Sequence, residues 1–350
     1  MTIFDNSHFK NHTAVHYFFD QPSGLRAIIA IHSLGTANCA IGGARMYPYA
    51  TEDEALSDAL NLSQGMSLKS AMAQLPYGGA KAVIIGDPKR DKTPRLLAAF
   101  ADCVDSLKGT YKTSEDIGIN LEDLKILSQT SSNVVGAGAK TVEPAVITSL
   151  GVFAGIKAAC KYRYANDSLD GKTIAVQGIG KVGMHLCERL YEDGASLIVS
   201  DIDRRALTKA QENYGAQVIP PKEICAAEAD VFAPCAFGGS INAECLEILK
   251  ADIIAGSANN QLENNSIGED LKKRDILYAP DFVINAGGLI DVAAEIEGYN
   301  YDDICQKTEA IGDSLGVIFQ RAKETGRSTN AIAIEMARER EIALPRSAAE

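Results

Sequence analysis

The 350-residue chain has no tryptophan, only five histidines, and 6% aromatic residues. No stretch reaches the 18 or more consecutive apolar residues of a membrane span, so no membrane partner is expected. The opening, Met1 to Asp20, scatters Asp5, Lys10, three histidines and Asp20 among its apolar residues. It lacks the basic start and apolar stretch of a secretory signal, so the mature chain is expected to begin near Met1 and to be cytoplasmic. Positive charge is scarce as well: 34 lysines and arginines face 46 acids, a net charge of -12. The acids are spread along the chain, which argues against a phosphate-backbone partner, so no nucleic acid is expected.

No CxxC pair occurs among the eight cysteines, Cys39, Cys103, Cys160, Cys187, Cys225, Cys235, Cys245 and Cys305. Scattered this way they are expected to be reduced, mostly buried thiols. There is no HExxH. His8, His12 and His16 repeat every four residues, a spacing that can share one helix face. The run Tyr17, Phe18, Phe19 that follows reads as strand, and nothing nearby supplies a fourth ligand, so no metal site is expected.

With 46% hydrophobic and 23% charged residues, the composition is that of a globular protein, and the length suggests about two domains. From about Gly171 the pattern is βαβ-like and predicts a parallel sheet. Thr173 to Gln177 (TIAVQ) reads as a strand, Val182 to Asp193 as a helix, and Ser196 to Ser200 (SLIVS) as a second strand. Val231 to Ala233, Ile253 to Ala255 and Ile276 to Tyr278 read as later strands, followed by a helix from Asn285 to Glu297. The first half mixes strands, at Leu25 to His32 and Lys81 to Ile85, with helices. One begins at Thr51, which with Glu54 reads as a capping box, and runs to Lys69. Another is announced by Thr93 and Pro94. Ser132 to Ile147 reads as a linker, and a last helix from Asn330 to Ile342 ends in a polar tail.

Gly178, Gly180 and Gly183 form a GxGxxG between the strand TIAVQ and a helix. That context makes the motif a dinucleotide-binding signal: a tight turn, a close backbone approach to pyrophosphate, and close packing of helix on strand. Asp201, at the end of the next strand, is placed to accept both ribose hydroxyls and to repel a 2′-phosphate, so NAD is expected over NADP. Arg204 and Arg205 work against that preference. In the first half, Lys69 alone reads as a helix C-terminal charge. Lys81, between Gly78–Gly79 and the run Ala82 to Ile85, enters a buried strand, where a lysine is costly unless it is paired or functional.

These residues fall in segments that resemble a family, the amino-acid dehydrogenases of glutamate, leucine, phenylalanine and valine. The branch most similar is that of leucine, phenylalanine, valine and tryptophan. The segments are GGARM (Gly42 to Met46), GMSLK, YGGAKAVIIGDP, TSEDIG (Thr113 to Gly118), the GxGxxG, APCAFGG (Ala233 to Gly239), AGSANNQL (Ala255 to Leu262) and APDFVINAGG (Ala279 to Gly288). The resemblance implies two α/β domains with a cleft between them. Residues 1-138 with 328-350 would be the substrate and oligomerisation domain, and 139-327 the Rossmann dinucleotide-binding domain. It implies NAD-dependent oxidative deamination of an L-amino acid to a 2-oxo acid and ammonia, reversible as reductive amination, in a homo-oligomer, a dimer or an octamer.

Residue by residue, the resemblance makes Lys69 the partner of the substrate carboxylate. It makes Lys81 the low-pKa lysine that activates water, and Asp116 the carboxylate that shuttles protons to nitrogen. Gly42 and Gly43 match backbone that approaches the substrate, and Asn259 is a further candidate for its carboxylate. Thr148, Ala236, Asn260 and Asn285 match positions around the nicotinamide and its ribose. Lys181 and Val182 inside the glycine motif and Ile202 beside Asp201 complete the cofactor candidates. Ile41 stands where the glutamate branch has a lysine. With Met66, Leu289 and Val292 it implies a pocket for an apolar side chain, branched aliphatic first and aromatic second, to which Ser114 would add a hydroxyl. Lys181, Val146, the pair Asn38–Cys39 and Asp291 depart from the family's usual residues without removing a catalytic group. Two rival readings are an NAD-dependent hydroxy-acid dehydrogenase and a non-catalytic NAD-binding regulatory protein.

Overall fold

The computed structural model describes residues 3–138 and 143–343. The chain forms two compact units, one of Met1–Thr141, Glu295–Gly298 and Ala337–Glu350, the other of Val142–Ala294 and Tyr299–Met336. Ser328 to Met336, expected with the first unit, fall with the second. Ser328 Oγ donates to Glu269, and Thr329 Oγ1 donates to the Tyr278 carbonyl. The expected boundary at residue 139 and the polar tail lie outside the described residues.

The first unit holds strands β1 (Ala14–Asp20), β2 (Leu25–Ile31) and β3 (Ala40–Tyr47), helix α1 (Glu52–Met72), β4 (Gly78–Ile85), α2 (Pro94–Ser106), β5 (Tyr111–Ser114) and α3 (Leu121–Leu127). The sheet order is β1-β2-β4-β3-β5; β1, β2 and β4 pair antiparallel, while β4, β3 and β5 pair parallel. The strand β2 is apolar almost throughout because both of its faces are covered. Leu25, Ala27, Ile29 and Ile31 join Phe100 of α2, while Ile28 and Ala30 join Leu56 and Leu60 of α1. Alternation carries the same division across the sheet. On β3 and β4, Ala40, Ala44, Met46, Ala80, Ala82 and Ile84 point to the α2 side. Ile41, Gly43, Arg45, Gly79, Lys81 and Val83 therefore share the α1 side.

The start of α1 matches only half of a capping box. Thr51 Oγ1 accepts from Glu54 N at 3.1 Å, but the Glu54 carboxylate accepts from Ala50 N. The histidine trio shares no helix face. His16 lies on β1, and buried His12 bonds the Leu60 carbonyl and Ser63 Oγ.

The second unit opens with α4 (Pro144–Tyr164) and continues through β6 (Thr173–Gln177), α5 (Lys181–Glu192), β7 (Ser196–Ser200), α6 (Arg204–Tyr214), β8 (Gln217–Val218), β9 (Val231–Pro234), α7 (Ala243–Ile248), β10 (Ile253–Ile254), α8 (Asn265–Lys273) and β11 (Leu277–Tyr278). Helices α9 (Asp281–Ile284), α10 (Gly287–Glu297), α11 (Tyr301–Glu309), α12 (Ile311–Thr325) and α13 (Thr329–Ala343) follow, with α10 from Glu295 and α13 from Ala337 falling in the first unit. The sheet is parallel, in the order β11-β10-β9-β6-β7-β8. The helix expected from Asn285 to Glu297 is α10, which begins at Gly287 because Asn285 caps the end of the short α9.

Two further expectations are corrected here. The segment read as a linker to Ile147 already contains the start of α4, with Pro144 in its first turn. This helix is long and apolar enough to cross a membrane, yet more than half of its apolar window is buried within the protein. A Cβ on Gly155 would meet Ile284 Cγ1 at 2.5 Å, so α4 is closely packed as a core helix. The cysteines are not all reduced: Cys225 and Cys245 form a disulfide, with Cα atoms 5.6 Å apart. Ile224 and Leu246, their neighbours in sequence, share one apolar cluster, which draws the two segments together across 20 residues of sequence.

Candidate active site

Lys81 lies mid-strand on β4 and is 6% exposed. Its Nζ sits 2.8 Å from Asp116 Oδ2. Burial lowers the Lys81 pKa below the ordinary lysine range; Asp116 opposes that shift and nearby Arg45 adds to it. Burial alone would raise the Asp116 carboxyl, but Lys81 and Arg45 outweigh it and hold it below the usual carboxylate range. The result is a pair in which the amine yields a proton more readily than a solvent lysine and the acid stays ionised.

Asp116 follows β5 in a loop fixed by backbone. Met46 N donates to the Ile117 carbonyl, Ile119 N donates to the Asp116 carbonyl, and Lys92 Nζ reaches both the Gly118 carbonyl and Asp123. The two adjacent glycines of β3 permit this approach. A Cβ on Gly42 would lie 1.7 Å from the Ala80 carbonyl oxygen, and one on Gly43 would lie 2.5 Å from that of Glu115. Ser114 pairs with Gly43, and buried Ile41 pairs with Gly79. Lys69 and Met66, both half-buried, ride on α1, whose backbone at Ser67 passes 2.0 Å from where a Gly79 Cβ would stand.

In the second unit, Gly178 takes φ +87°, and a Cβ there would strike Ala236. A Cβ on Gly183 would lie 2.1 Å from the Gly178 carbonyl oxygen, so helix and loop need both glycines. Gly180 caps α5 without a side-chain hydrogen bond, and nothing lies within 4 Å of its would-be Cβ. The first turn of α5, with Val182 in it, therefore begins without a side-chain cap and with open space at Gly180, an arrangement suited to pyrophosphate. Asp201 accepts from Ile179 N at 2.7 Å and Asp203 N at 2.8 Å, which anchors its carboxylate beside the loop. Ile202 next to it is 85% exposed. Thr148 Oγ1 donates to the Pro144 carbonyl, and Gly288 lets α10 approach that hydroxyl. Asn285 Nδ2 donates to the Ser257 carbonyl and to Asn259 Oδ1, while its buried Oδ1 has no partner among the described residues. An open helix N-terminus and an orphaned buried carbonyl fit a dinucleotide with its nicotinamide amide.

The family model "Glu/Leu/Phe/Val dehydrogenase, dimerisation domain" matches residues 10–133, and "Glutamate/Leucine/Phenylalanine/Valine dehydrogenase" matches 141–205 and 200–328. The chain belongs to the Glu/Leu/Phe/Val dehydrogenase family. It is 44% identical to the leucine dehydrogenase of Geobacillus stearothermophilus over 343 residues, 97% of this chain and 93% of that one. To the L-tryptophan dehydrogenase of Nostoc punctiforme it is 45% identical over 341 residues, 97% and 96% of the two chains. The crystal structure of that tryptophan dehydrogenase matches with a TM-score of 0.87 at 44% identity, covering 97% of this chain and 99% of the other. As a member of this dehydrogenase family the chain is an oxidoreductase, and its Rossmann-type sheet implies a nicotinamide cofactor.

Within the first unit of this dehydrogenase, the structure gathers Gly42, Gly43, Lys81, Ser114 and Asp116 around β3, β4 and β5. Within the second it gathers the three glycines with Ala236 and Asp201, and Asn259 with Asn285. Lys181 and Asn259 are among the candidates with partners that their expected roles did not include: Lys181 Nζ lies 2.7 Å from Glu143 Oε1, and Asn259 accepts from Asn285. Leu289 is buried and Val292 half-buried on α10, with Asp291 buried between them; Asn260 is exposed, with φ +51°. Sequence reasoning missed Arg45, Asp58 and Tyr49. Arg45 Nε reaches Asp116 Oδ2 at 2.9 Å and its Nη1 reaches Asp58 Oδ2 at 2.9 Å, while Tyr49 OH donates to Asp58. Arg45 stood inside GGARM, but nothing in its spacing pointed to Asp116, 71 residues on. Fully buried Gln261, which donates to the Gly256 and Ala258 carbonyls, was also missed.

Proposed function

We propose that the protein catalyses reversible, NAD-dependent oxidative deamination of an apolar L-amino acid. The observation that carries this reading is the buried Lys81–Asp116 pair at 2.8 Å, an amine of lowered pKa beside an ionised carboxylate. Neutral Lys81 takes the proton from the water that attacks the imine carbon, and Asp116 exchanges protons with the substrate nitrogen. Lys69 holds the substrate carboxylate, and the backbone at Gly42 and Gly43 lets the substrate come close. The glycine loop, the α5 N-terminus, Asp201 and Asn285 would hold the dinucleotide, which when bound would supply the acceptor for the hydride leaving Cα.

Ile41, 1% exposed beside Gly42, supports the apolar substrate class. A side-chain carboxylate would be desolvated there without a partner, a cost larger than any gain from a methylene. The leucine and tryptophan dehydrogenases to which the chain is similar fit a branched aliphatic substrate first and an aromatic one second. Asp201 supports NAD over NADP, since a 2′-phosphate would approach its carboxylate. A homo-oligomer is part of the reading, supported by the dimerisation domain that matches residues 10–133.

The test is a panel of 4-methyl-2-oxopentanoate, 3-methyl-2-oxobutanoate, phenylpyruvate and 2-oxoglutarate with NADH and ammonium, repeated with NADPH. Ammonium-dependent turnover of the apolar acids with NADH is expected. Turnover without ammonium would favour a hydroxy-acid dehydrogenase, and NADH binding without turnover a regulatory protein. A preference for 2-oxoglutarate or NADPH would overturn the pocket or the Asp201 argument.

A further inference from the structure

Asp116 has two carboxylate oxygens, and the structure treats them differently. Lys81 Nζ, from β4, and Arg45 Nε, from β3, both meet Oδ2, at 2.8 and 2.9 Å. Oδ1 makes no hydrogen bond among the described residues. Arg45 is itself held from the other side, because its Nη1 lies 2.9 Å from Asp58 Oδ2 on α1, and Asp58 also accepts from Tyr49 OH. Charges thus alternate along a row, Lys81, Asp116, Arg45, Asp58, and all four side chains are shielded from solvent, being 7%, 22%, 19% and 27% exposed.

We infer that Arg45, backed by Asp58 and Tyr49, is a positioning residue. It shares Oδ2 of Asp116 with Lys81, stops the carboxylate from turning, and so leaves Oδ1 as the oxygen that trades a proton with the substrate nitrogen. The inference rests on the proposed deamination and adds to it which oxygen acts and what sets its orientation. A planar guanidinium suits the task. Its fork holds two carboxylates at a fixed angle, whereas a lysine presents a point charge on a flexible stem and would grip one. The proton moves only between Oδ1 and nitrogen, and Arg45 stays charged throughout.

Arg45 also acts on Lys81 through its charge. The groups that bear on this pair are Arg45 from β3, Asp58 from α1, Tyr49 from the segment after β3, and Tyr111 from β5. The Tyr111 hydroxyl is spent on the Gly42 carbonyl and Thr113, and burial raises its pKa above the ordinary tyrosine value. Arg45 lowers the Lys81 pKa and Asp58 raises it. Removing each should therefore move Lys81 in opposite directions.

The experiment measures kcat/KM for deamination against pH in Arg45→Met, Arg45→Lys and Asp58→Asn, with NADH titration of each variant as a check on folding. The acid limb reports the need for neutral Lys81. It should move up by about one unit in Arg45→Met, stay in place in Arg45→Lys, and move down in Asp58→Asn. kcat should fall about tenfold to a hundredfold in both arginine variants, since neither can hold both carboxylates. A crystal structure of Arg45→Met should show the Asp116 carboxylate turned from its parent orientation. An acid limb that stays in place in both Arg45→Met and Asp58→Asn, or an Asp116 carboxylate unchanged in that crystal structure, overturns the inference. Parent enzyme without ammonium-dependent turnover refutes the deamination reading instead, and the carboxylate orientation in Arg45→Met then still decides the role of Arg45.

Discussion

In the first unit, Lys81, Asp116, Arg45 and Asp58 hold one another by side chains that arrive from two strands, a helix and a loop. In the second, the segment from Gly178 to Gly183 offers backbone rather than side chains, with open space at Gly180 and Asp201 tied to it through Ile179 N. The first arrangement is sensitive to the loss of a side chain, because every buried charge removed leaves a partner uncompensated. The second is sensitive to the gain of one, because a Cβ at Gly178 or Gly183 would fall inside another atom. The two units therefore call for opposite kinds of substitution, and the comparison can be broken from either side.

The largest effect is expected from Lys81→Ala. Deamination should fall by at least about a thousandfold, within the range that general acid–base groups supply. NADH affinity should stay nearly unchanged, because the dinucleotide candidates lie on the other unit. Asp116→Ala should behave likewise. Turnover like that of the parent in either variant would remove the acid–base role from this pair.

A second test asks whether buried polar groups of the first unit respond to pH as their burial implies. His32 bonds Ser67 Oγ at 2.8 Å, and burial lowers its pKa to about 4, helped by His12 and Arg338. Its folded pKa lies below its unfolded value, so the unfolded chain takes up the proton first. Stability should be fully present above about pH 6.5 and decline as pH falls toward 4, by on the order of 3 kcal/mol for this group. His12, also lowered by burial, adds to the decline, whereas Glu341, raised by burial, works against it. Urea midpoints at pH 7 and pH 5 should drop less in His32→Gln than in the parent. Equal drops would show that His32 is not the source.

The converse test in the second unit is Gly183→Ala. The added methyl would lie 2.1 Å from the Gly178 carbonyl oxygen, so α5 must shift away from the loop. Overpacking of this kind costs about 1–3 kcal/mol, which corresponds to roughly a tenfold to hundredfold loss of NADH affinity if the strain is relieved at the loop. NADH titration by fluorescence measures it directly, and unchanged affinity would mean that the loop adapts.

The same contrast decides what could be read from the sequence. The glycine segment, its flanking strands and Asp201 are contiguous or nearly so, and each is marked by residue type or by period, so β6, α5 and β7 emerged close to their observed bounds. The helix α4 did not, because a helix buried on most sides shows no polar face to set its period, and its glycines at 151 and 155 look like breakers until Ile284 and Leu315 are seen against Gly155. Lys81 and Asp116 were legible through their motifs. Arg45 and Asp58 were not, because their meaning lies in a register: β3 beside β4 under α1 brings together residues that no local spacing relates. The Cys225–Cys245 disulfide escaped for the same reason.

The smallest expected effect isolates how the two units begin a helix. Thr51 fills the N-terminus of α1 with its own hydroxyl, which accepts from Glu54 N at 3.1 Å. Gly180 leaves the N-terminus of α5 without a side-chain cap. A serine at position 180 meets no steric objection, since the site has φ -65° and nothing within 4 Å of the added Cβ. Its hydroxyl can accept from the first-turn N–H groups as Thr51 does in α1. Serine exceeds glycine as a cap by only a few tenths of a kcal/mol, so Gly180→Ser should raise stability of the ligand-free protein slightly. The same hydroxyl would occupy N–H groups that we assign to pyrophosphate, so NADH should bind more weakly. The expected signature is a urea midpoint that rises while NADH affinity falls. If NADH affinity is unchanged or improved, the open N-terminus of α5 is not where the phosphates sit, and the contrast between a helix capped for stability and one left open for a ligand is lost.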